Sequence, residues 1–341
     1  MKILLLATEI GWNGGVQQYG RSIKEALVEE GHEVFSVETI ASTGSSTKLL
    51  KLSSAVFTAR RSGIDIVWVL HPRLAPVAVP LVRMLRIPAI VSTYGFETWG
   101  DYPLHWRQAL RWARVVTGIS NFSICMMGSP GHEAVLLPPT WGVDQDRDRP
   151  LPHQAARTTV AFVGRFDDPY KGLDTFVELA RRFQGSGWSF EAAGAGSIPN
   201  FAANDNGVTV RLTSNASDLE VTDLYRRSAV VVVPSRVTRS RSNKFTGGEG
   251  FGIVLLEAAR AGAVTLAADE GACPETVALL GNGIVCRPTA DANETMLRCL
   301  LEDIPWRQAL ASAGIRASTR FSPDRLRHRV ADVIAAAHCA D

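Results

Sequence analysis

The chain has 341 residues, 46% of them hydrophobic and 21% charged. That suits two folded domains of roughly 100 to 200 residues and excludes a disordered, collagen-like or disulfide-scaffold protein. Lys and Arg number 36 against 34 Asp and Glu, a formal charge of +2; wholesale nucleic-acid binding is excluded as a first reading, and an anionic ligand has to be met by a local cluster.

Residues 3–7 form an apolar run, too short for a secretory signal before Glu9, and are expected as a buried strand. A turn through Gly14 and Gly15 follows, then an apolar face at Val16, Tyr19, Ile23, Ala26 and Leu27, then Gly31 and an extended pattern over 34–37. This is a strand, a glycine loop, a helix and a second strand, the unit of a parallel sheet. Further strands are expected at 64–70, 89–93 and 115–119, so the first half reads as a parallel sheet with helices on its faces. Periodicity disappears over 144–157, with Pro150, Pro152 and His153, and a domain boundary and hinge are placed there.

A second cycle opens with a strand at 159–163, Gly164, and a helix marked by Leu173, Phe176, Val177, Ala180 and Phe183. Strands follow at 189–193, 208–212, 229–233 and 264–268, and a helix over 219–227 that Ser217 and Glu220 start as a capping box. The expected domains are 1–150, 151–322 and a final helix over 323–341. Ser322 caps that helix, Pro323 opens it, and its stripe of Leu326, Val330, Val333 and Ile334 needs a partner surface. It is left open which domain supplies that surface, the first being one candidate.

The five cysteines (Cys125, Cys273, Cys286, Cys299, Cys339) are odd in number and include no C-x-x-C pair, so a reducing cytoplasm is expected. No stretch approaches the roughly 20 apolar residues of a membrane span. Trp99, Trp106 and Trp112 share a segment with Arg107, Arg111 and Arg114. This is either a core helix with its arginines in water or a face for peripheral contact at the inner side of a membrane.

The most informative segment is Gly247-Gly248-Glu249-Gly250-Phe251-Gly252-Ile253, continuing into Val254-Leu255-Leu256-Glu257. A glycine turn feeding a helix presents free N–H groups and a positive dipole end, which suits an anion. Glu249 precedes the helix and Glu257 falls inside it on an apolar segment. Hydroxyl groups of a sugar or ribose would partner both; alternatively Glu257 pairs with an arginine and Glu249 is solvated.

The stretch from Glu249 to Glu257 resembles the E-x7-E signature of retaining glycosyltransferase family 4. Val163-Gly164-Arg165 with Lys171-Gly172, Val233-Pro234-Ser235, and Asp269-Glu270-Gly271-Ala272-Cys273-Pro274-Glu275 resemble that family's companion motifs, in order. The resemblance implies an α/β GT-B fold, two Rossmann-like doubly wound domains facing each other across a cleft. The N-terminal one would bind the acceptor and the C-terminal one a nucleotide-sugar donor. It further implies that Arg165 and Lys171 hold the donor diphosphate, Glu257 the ribose, Glu249 the donor sugar, and the backbone of Gly250, Phe251, Gly252 and Ile253 the phosphate and sugar. Gly14, Gly15 and Gly164 would line the donor.

No metal and no cofactor beyond the nucleotide-sugar co-substrate are expected, because fixed cations and N–H groups can stabilise the departing diphosphate. Retention is usually explained in this family by front-face attack without a separate base. Thr93-Tyr94-Gly95-Phe96-Glu97 stands where many relatives carry His-Gly-x-Glu, so Tyr94 takes the histidine's place; His71, Tyr94 and Glu97 are the expected acceptor or sugar contacts. The alternatives are a sugar-nucleotide epimerase or hydrolase, and a catalytically silent binding subunit. Arg236, Arg239, Arg241 and Lys244 are expected in a loop that is either solvated or ordered over an anion. Gly194-Ala195-Gly196 is a fragment of a dinucleotide fingerprint with Pro199 where the third glycine belongs, too little to imply NAD. The donor base, the acceptor and the oligomeric state are not legible.

Overall fold

A computed structural model describes residues 1–8, 14–39, 61–100, 102–128, 133–141, 151, 153–203 and 210–338. The chain divides into two compact units. The first comprises Met1–Thr140, Arg241–Phe245 and Phe321–Asp341, the second Trp141–Ser240 and Thr246–Arg320.

The first unit carries β1 (Lys2–Thr8), β2 (Glu33–Thr39), β3 (Ile66–Val69), β4 (Ala89–Thr93), β5 (Val115–Gly118) and β6 (Val135–Leu136) in the order β2-β1-β3-β4-β5-β6. Every pairing is parallel. Side chains alternate across a strand, and β1 divides accordingly. Leu4 and Leu6 join Val79 and Leu110 in one core, while Ile3, Leu5 and Ala7 join Ile23 and Leu27 in the other. Both faces are covered, which is why β1 reads as a continuous apolar run.

The helix Pro323–His338 belongs to this first unit. Leu326, Val330, Val333 and Ile334 complete the core that holds Ile23 and Leu27, each contributing on the order of 1.5–3 kcal/mol by burial. Arg327 lies 3.5 Å from Glu29 and 3.1 Å from Glu30 at the rim, partly exposed pairs that add little.

The second unit carries β7 (Thr159–Val163), β8 (Ser189–Gly194), β9 (Val210–Ser214), β10 (Ser228–Val233), β13 (Val264–Ala268) and β14 (Gly283–Cys286), in the order β14-β13-β10-β7-β8-β9. Numbered from its own first strand, this is the 3-2-1-4-5-6 order of doubly wound dinucleotide folds. The stripe of the helix Leu173–Arg182 packs as expected, with Phe176 at 5.6 Å from Phe162 and 5.7 Å from Phe190 between ring centres. Ser217 and Glu220 form the expected capping box of the helix Asp218–Arg227. Residues 204–209 lie outside the described residues, so the strand expected from 208 is seen from Val210.

Three expectations are corrected. Of the segment 144–157, residues 144–150 and 152 lie outside the described residues, and 153–157 are not a loose linker. The Gln154 side chain donates to the Gly262 carbonyl at 2.5 Å, and buried Arg157 donates to the carbonyls of Ser228 and Ala261 at 3.0 and 3.1 Å. Buried donors need acceptors, and these are all in the second unit. The basic segment after Ser235 is not an irregular loop; it forms a hairpin of β11 (Thr238–Arg239) and β12 (Phe245–Gly247). Third, Trp99 is not on the helix Leu104–Trp112; it is buried edge-on against Phe122 and Phe245. Among the described residues no helix is long and apolar enough to cross a membrane.

Candidate active site

In open parallel sheets a ligand crevice opens beyond the carboxyl ends of two neighbouring strands whose connections leave toward opposite faces. In the second unit those strands are β7 and β10. The chain leaves β7 through Gly164 and Arg165 and reaches Lys171 in a short 3-10 turn, Pro169–Lys171. It leaves β10 through Pro234 and Ser235. Glu249 joins the two exits: its Oε1 accepts from Lys171 Nζ at 2.7 Å and from Ser235 Oγ at 2.9 Å. Both side chains of the pair are largely buried. Burial pulls the Lys171 ammonium down, but the charge of Glu249, with Tyr170 beside it, outweighs that and holds it above the ordinary lysine value. The cation therefore stays charged at any physiological pH.

The third wall comes from the loop after β13. Ala272 N–H donates to the Glu249 carbonyl at 2.9 Å, and Thr276 Oγ1 donates to the Phe251 carbonyl. Gly252, at φ +85°, is the N-cap of the helix Ile253–Arg260, so Ile253 opens that helix and its N–H belongs to the first turn, whose N–H groups have no carbonyl four residues back within the helix. Glu257 sits in that helix, and Tyr225 Oη donates to its Oε2 at 2.9 Å. This tyrosine, from the helix Asp218–Arg227, was not among the partner types weighed for Glu257. Burial first, and the Glu257 carboxylate second, push that phenol well above its usual range, so it remains a donor. Glu249 is not merely solvated, as its alternative reading had it.

Arg165 is half-exposed, its Nε 3.5 Å from Asp167 and 3.4 Å from Asp168. Gly164 is held from behind, its N–H donating to the Ala193 carbonyl at 3.1 Å. The structure thus brings Gly164, Arg165, Lys171, Glu249, Gly250, Phe251, Gly252, Ile253 and Glu257 into one unit, on the loops and helix at one end of its sheet. Ser235, Tyr225, Tyr170 and Ala272 were not expected at the site. Ser235 stood in a motif that was noted, while the tyrosines carried no local signal, because what places them is the sheet order.

In the first unit the corresponding strands are β1 and β3. Gly14 is the N-cap of the helix Gly15–Glu29, with extended backbone; residues 9–13 lie outside the described residues. His71 follows β3 and caps a 3-10 turn, its Nδ1 accepting from Arg73 N–H at 3.1 Å. Tyr94 follows β4 and its ring lies tilted against His71 at 5.8 Å and edge-on to Tyr19 at 5.6 Å between ring centres. Its hydroxyl donates to the Leu70 carbonyl. Glu97 Oε1 accepts from the N–H groups of Tyr94 at 2.8 Å and Gly95 at 3.1 Å. Burial raises the Glu97 carboxyl, although those N–H groups and Arg73 pull the other way. His71, Tyr94 and Glu97 do cluster, but Tyr94 and Glu97 turn polar atoms onto the backbone, which suits groups that shape a surface.

Burial, and then the charge of Arg73, push the His71 imidazole from 6.5 down to about 4. The unfolded chain therefore takes up its proton first on acidification. Stability is expected to fall as pH drops below about 6.5 and to level off near pH 4, a loss on the order of 3 kcal/mol. His71→Asn retains an acceptor for Arg73 N–H and should flatten the slope; urea midpoints at neutral and mildly acidic pH check this, and an unchanged slope would acquit His71.

Residues 144–317 match the profile of the family described as "Glycosyl transferases group 1". The chain is 33% identical over 280 residues to the "GDP-mannose-dependent alpha-(1-6)-phosphatidylinositol monomannoside mannosyltransferase" of Mycolicibacterium smegmatis, covering 74% of this chain and 71% of that one. The chain belongs to the group 1 glycosyltransferases. To the Mycobacterium tuberculosis protein of the same description it is 32% identical over 252 residues, 65% of this chain, and it spans 62% of that relative's length. Among solved structures, an Anabaena protein, HepE, crystallised with UDP and glucose, superposes with TM-score 0.72 at 17% identity over 98% of this chain and 99% of that one. The sucrose-phosphate synthase of Thermosynechococcus elongatus does so with TM-score 0.73 at 18% identity over 98% of each. The fold is accordingly the two-domain α/β GT-B fold of these glycosyltransferases. The family match covers the Lys171, Ser235 and Glu249 cluster and leaves His71, Tyr94 and Glu97 outside it.

Proposed function

We propose that this glycosyltransferase moves a hexosyl group from a nucleoside diphosphate sugar to a hydroxyl acceptor, with retention of configuration and without a divalent metal. The observation that carries the reading is the Lys171–Glu249–Ser235 cluster joining the exits of β7 and β10, beside the glycine turn that opens the helix Ile253–Arg260.

When the bond from the sugar's anomeric carbon to the diphosphate breaks, negative charge grows on the leaving oxygen. Lys171, Arg165 and the helix N–H groups are fixed donors for that charge and stabilise it more than they stabilise the intact donor. Arg165 supplies a planar fork and Lys171 a compact point charge, so they act differently on the phosphates. Glu249, already oriented by two protein donors, holds hydroxyls of the sugar, and Glu257, oriented by Tyr225, those of the ribose. The acceptor's oxygen forms the new bond on the face the diphosphate leaves, and its proton passes to the departing phosphate oxygen. His71, Tyr94 and Glu97 shape the acceptor side.

The relatives' descriptions make GDP-mannose the first donor to try and a phosphatidylinositol monomannoside the first acceptor. Release of GDP only when acceptor is present, with an α-linked product by NMR, supports the reading. An isomerised donor, or binding without turnover, would overturn it. Activity is expected to survive EDTA, because the charge-stabilising groups are side-chain cations and N–H groups; a loss restored by Mg²⁺ or Mn²⁺ refutes the metal-free part.

A further inference from the structure

We propose that Tyr170 is a positioning residue whose ring face holds the Lys171 ammonium in place while leaving its N–H groups for the donor's diphosphate. The inference rests on the reading above, in which Lys171 meets the leaving group.

A lysine is not by nature a fixed cation, because its charge sits at the end of a flexible four-carbon stem. Glu249 Oε1 accepts from Lys171 Nζ at 2.7 Å, which occupies one of the three donors of an ammonium. That contact alone allows the ammonium to pivot, and a sugar hydroxyl arriving at Glu249 competes for it. The second anchor is the ring of Tyr170. Lys171 Nζ lies over that ring, 5.1 Å from its centre, within the roughly 6 Å over which a ring quadrupole attracts a cation. The attraction is to the whole face and uses no lone pair, so N–H groups turned away from the ring keep their capacity for phosphate oxygens. A second carboxylate in the same place would grip harder, but it would also cancel the charge the diphosphate needs.

The ring is itself fixed. Tyr170 lies in the 3-10 turn Pro169–Lys171, its carbonyl accepting from Arg236 N–H at 2.7 Å, while Lys171 N–H donates to the Asp168 carbonyl at 3.0 Å. On its other side the ring rests on β12. A Cβ added at Gly247 would stand 2.6 Å from both Cγ and Cδ1 of Tyr170 and 2.8 Å from Thr238 Oγ1. Cγ lies on the axis about which the ring turns, so rotating the ring would not relieve that contact. Gly247 is therefore the space the ring needs, and the hairpin of β11 and β12 is its backing. Burial raises the phenol against the pull of the Lys171 charge, so the ring stays neutral.

The first test needs no donor. With lysine labelled at Cε, the Lys171 signal is identified by its loss in Lys171→Gln. Its ε protons should be shifted upfield by the ring in the parent and in Tyr170→Phe, less so in Gly247→Ala, and not in Tyr170→Leu. The second test is turnover of the full chain with GDP-mannose and acceptor. Tyr170→Leu should lower kcat roughly 5- to 30-fold, the range for a cation–π contact shielded from water, with the donor KM moving less. Tyr170→Phe should recover most of that loss. In a Lys171→Gln background Tyr170→Leu should cost little more, since a neutral amide is not drawn to the ring. An ordinary Lys171 signal in the parent would overturn the proposal. So would an equal cost of Tyr170→Leu with and without the Lys171 charge, which would make the tyrosine structural only. Should Tyr170→Leu fail to fold, the signal in the parent and its change in Gly247→Ala still decide. Full turnover in Lys171→Gln would refute the reading of the site; the expected loss there with none in Tyr170→Leu would refute the role of Tyr170 alone.

Discussion

Lys171→Gln is expected to lower turnover roughly 10²- to 10³-fold, the range for removing one pre-positioned donor from a developing negative charge. Glutamine reaches a similar distance but carries no charge, so the loss should fall on turnover more than on donor affinity. A second effect follows from the ion pair. Lys171 and Glu249 meet at 2.7 Å with little exposure, and removing one partner of a buried pair leaves the other's desolvation uncompensated, a destabilisation of up to about 3–5 kcal/mol. Ser235 still donates to Glu249 and should soften that. The variant K171Q/E249Q removes the stranded charge, so it should recover much of the stability and none of the turnover. Initial rates with GDP-mannose and urea midpoints for the two single variants and the double separate catalysis from folding. Full turnover in Lys171→Gln would remove the cation from the mechanism.

Gly194→Ala is expected to destabilise the second unit by about 3 kcal/mol or more. A Cβ at Gly194 would lie 1.7 Å from the Gly164 carbonyl oxygen and 2.7 Å from its carbon. The obstacle is backbone, so no rotamer change relieves it, and the penalty should reach or exceed the upper end of ordinary overpacking. The strain also has a direction. The exits of β7 and β8 are laced by Gly164 N–H to the Ala193 carbonyl at 3.1 Å and Phe166 N–H to the Ala195 carbonyl at 2.8 Å. Pushing them apart displaces Arg165, so donor affinity should fall along with the unfolding midpoint. Gly187→Ala is the control: Gly187 has φ +84° but open space around it, so only the left-handed strain of about 1–2 kcal/mol applies and donor affinity should not change. Equal unfolding midpoints for the two variants would show that the close approach is not what requires glycine at 194.

The Gly194 case shows how local reading falls short. Gly194-Ala195-Gly196 reads as a broken nucleotide fingerprint, yet the glycine is required by a neighbouring strand exit 30 positions upstream in numbering. The basic segment over 236–244 likewise has no strand pattern, yet it forms a hairpin whose entry is held by residues distant in the chain. Arg236 N–H donates to the Tyr170 carbonyl at 2.7 Å and Glu270 accepts from Val237 N–H. Conversely, the E-x7-E stretch was legible throughout, since a glycine turn entering a helix with carboxylates at its mouth is written in contiguous residues.

What the amino-acid sequence determined alone was every property that depends on near neighbours. Apolar runs made the buried strands, the Ser217–Glu220 pair started its helix, and the motif order pointed to the family. Only the tertiary structure decided which unit receives the Pro323–His338 helix, that Tyr225 holds Glu257, and that Lys171 and Ser235 converge on one oxygen of Glu249. An apolar stripe states that it needs a partner and a carboxylate that it needs donors. Which ones they meet is set by strand order, because parallel neighbours are joined through long crossovers and residues distant in the chain emerge side by side at the carboxyl end of the sheet.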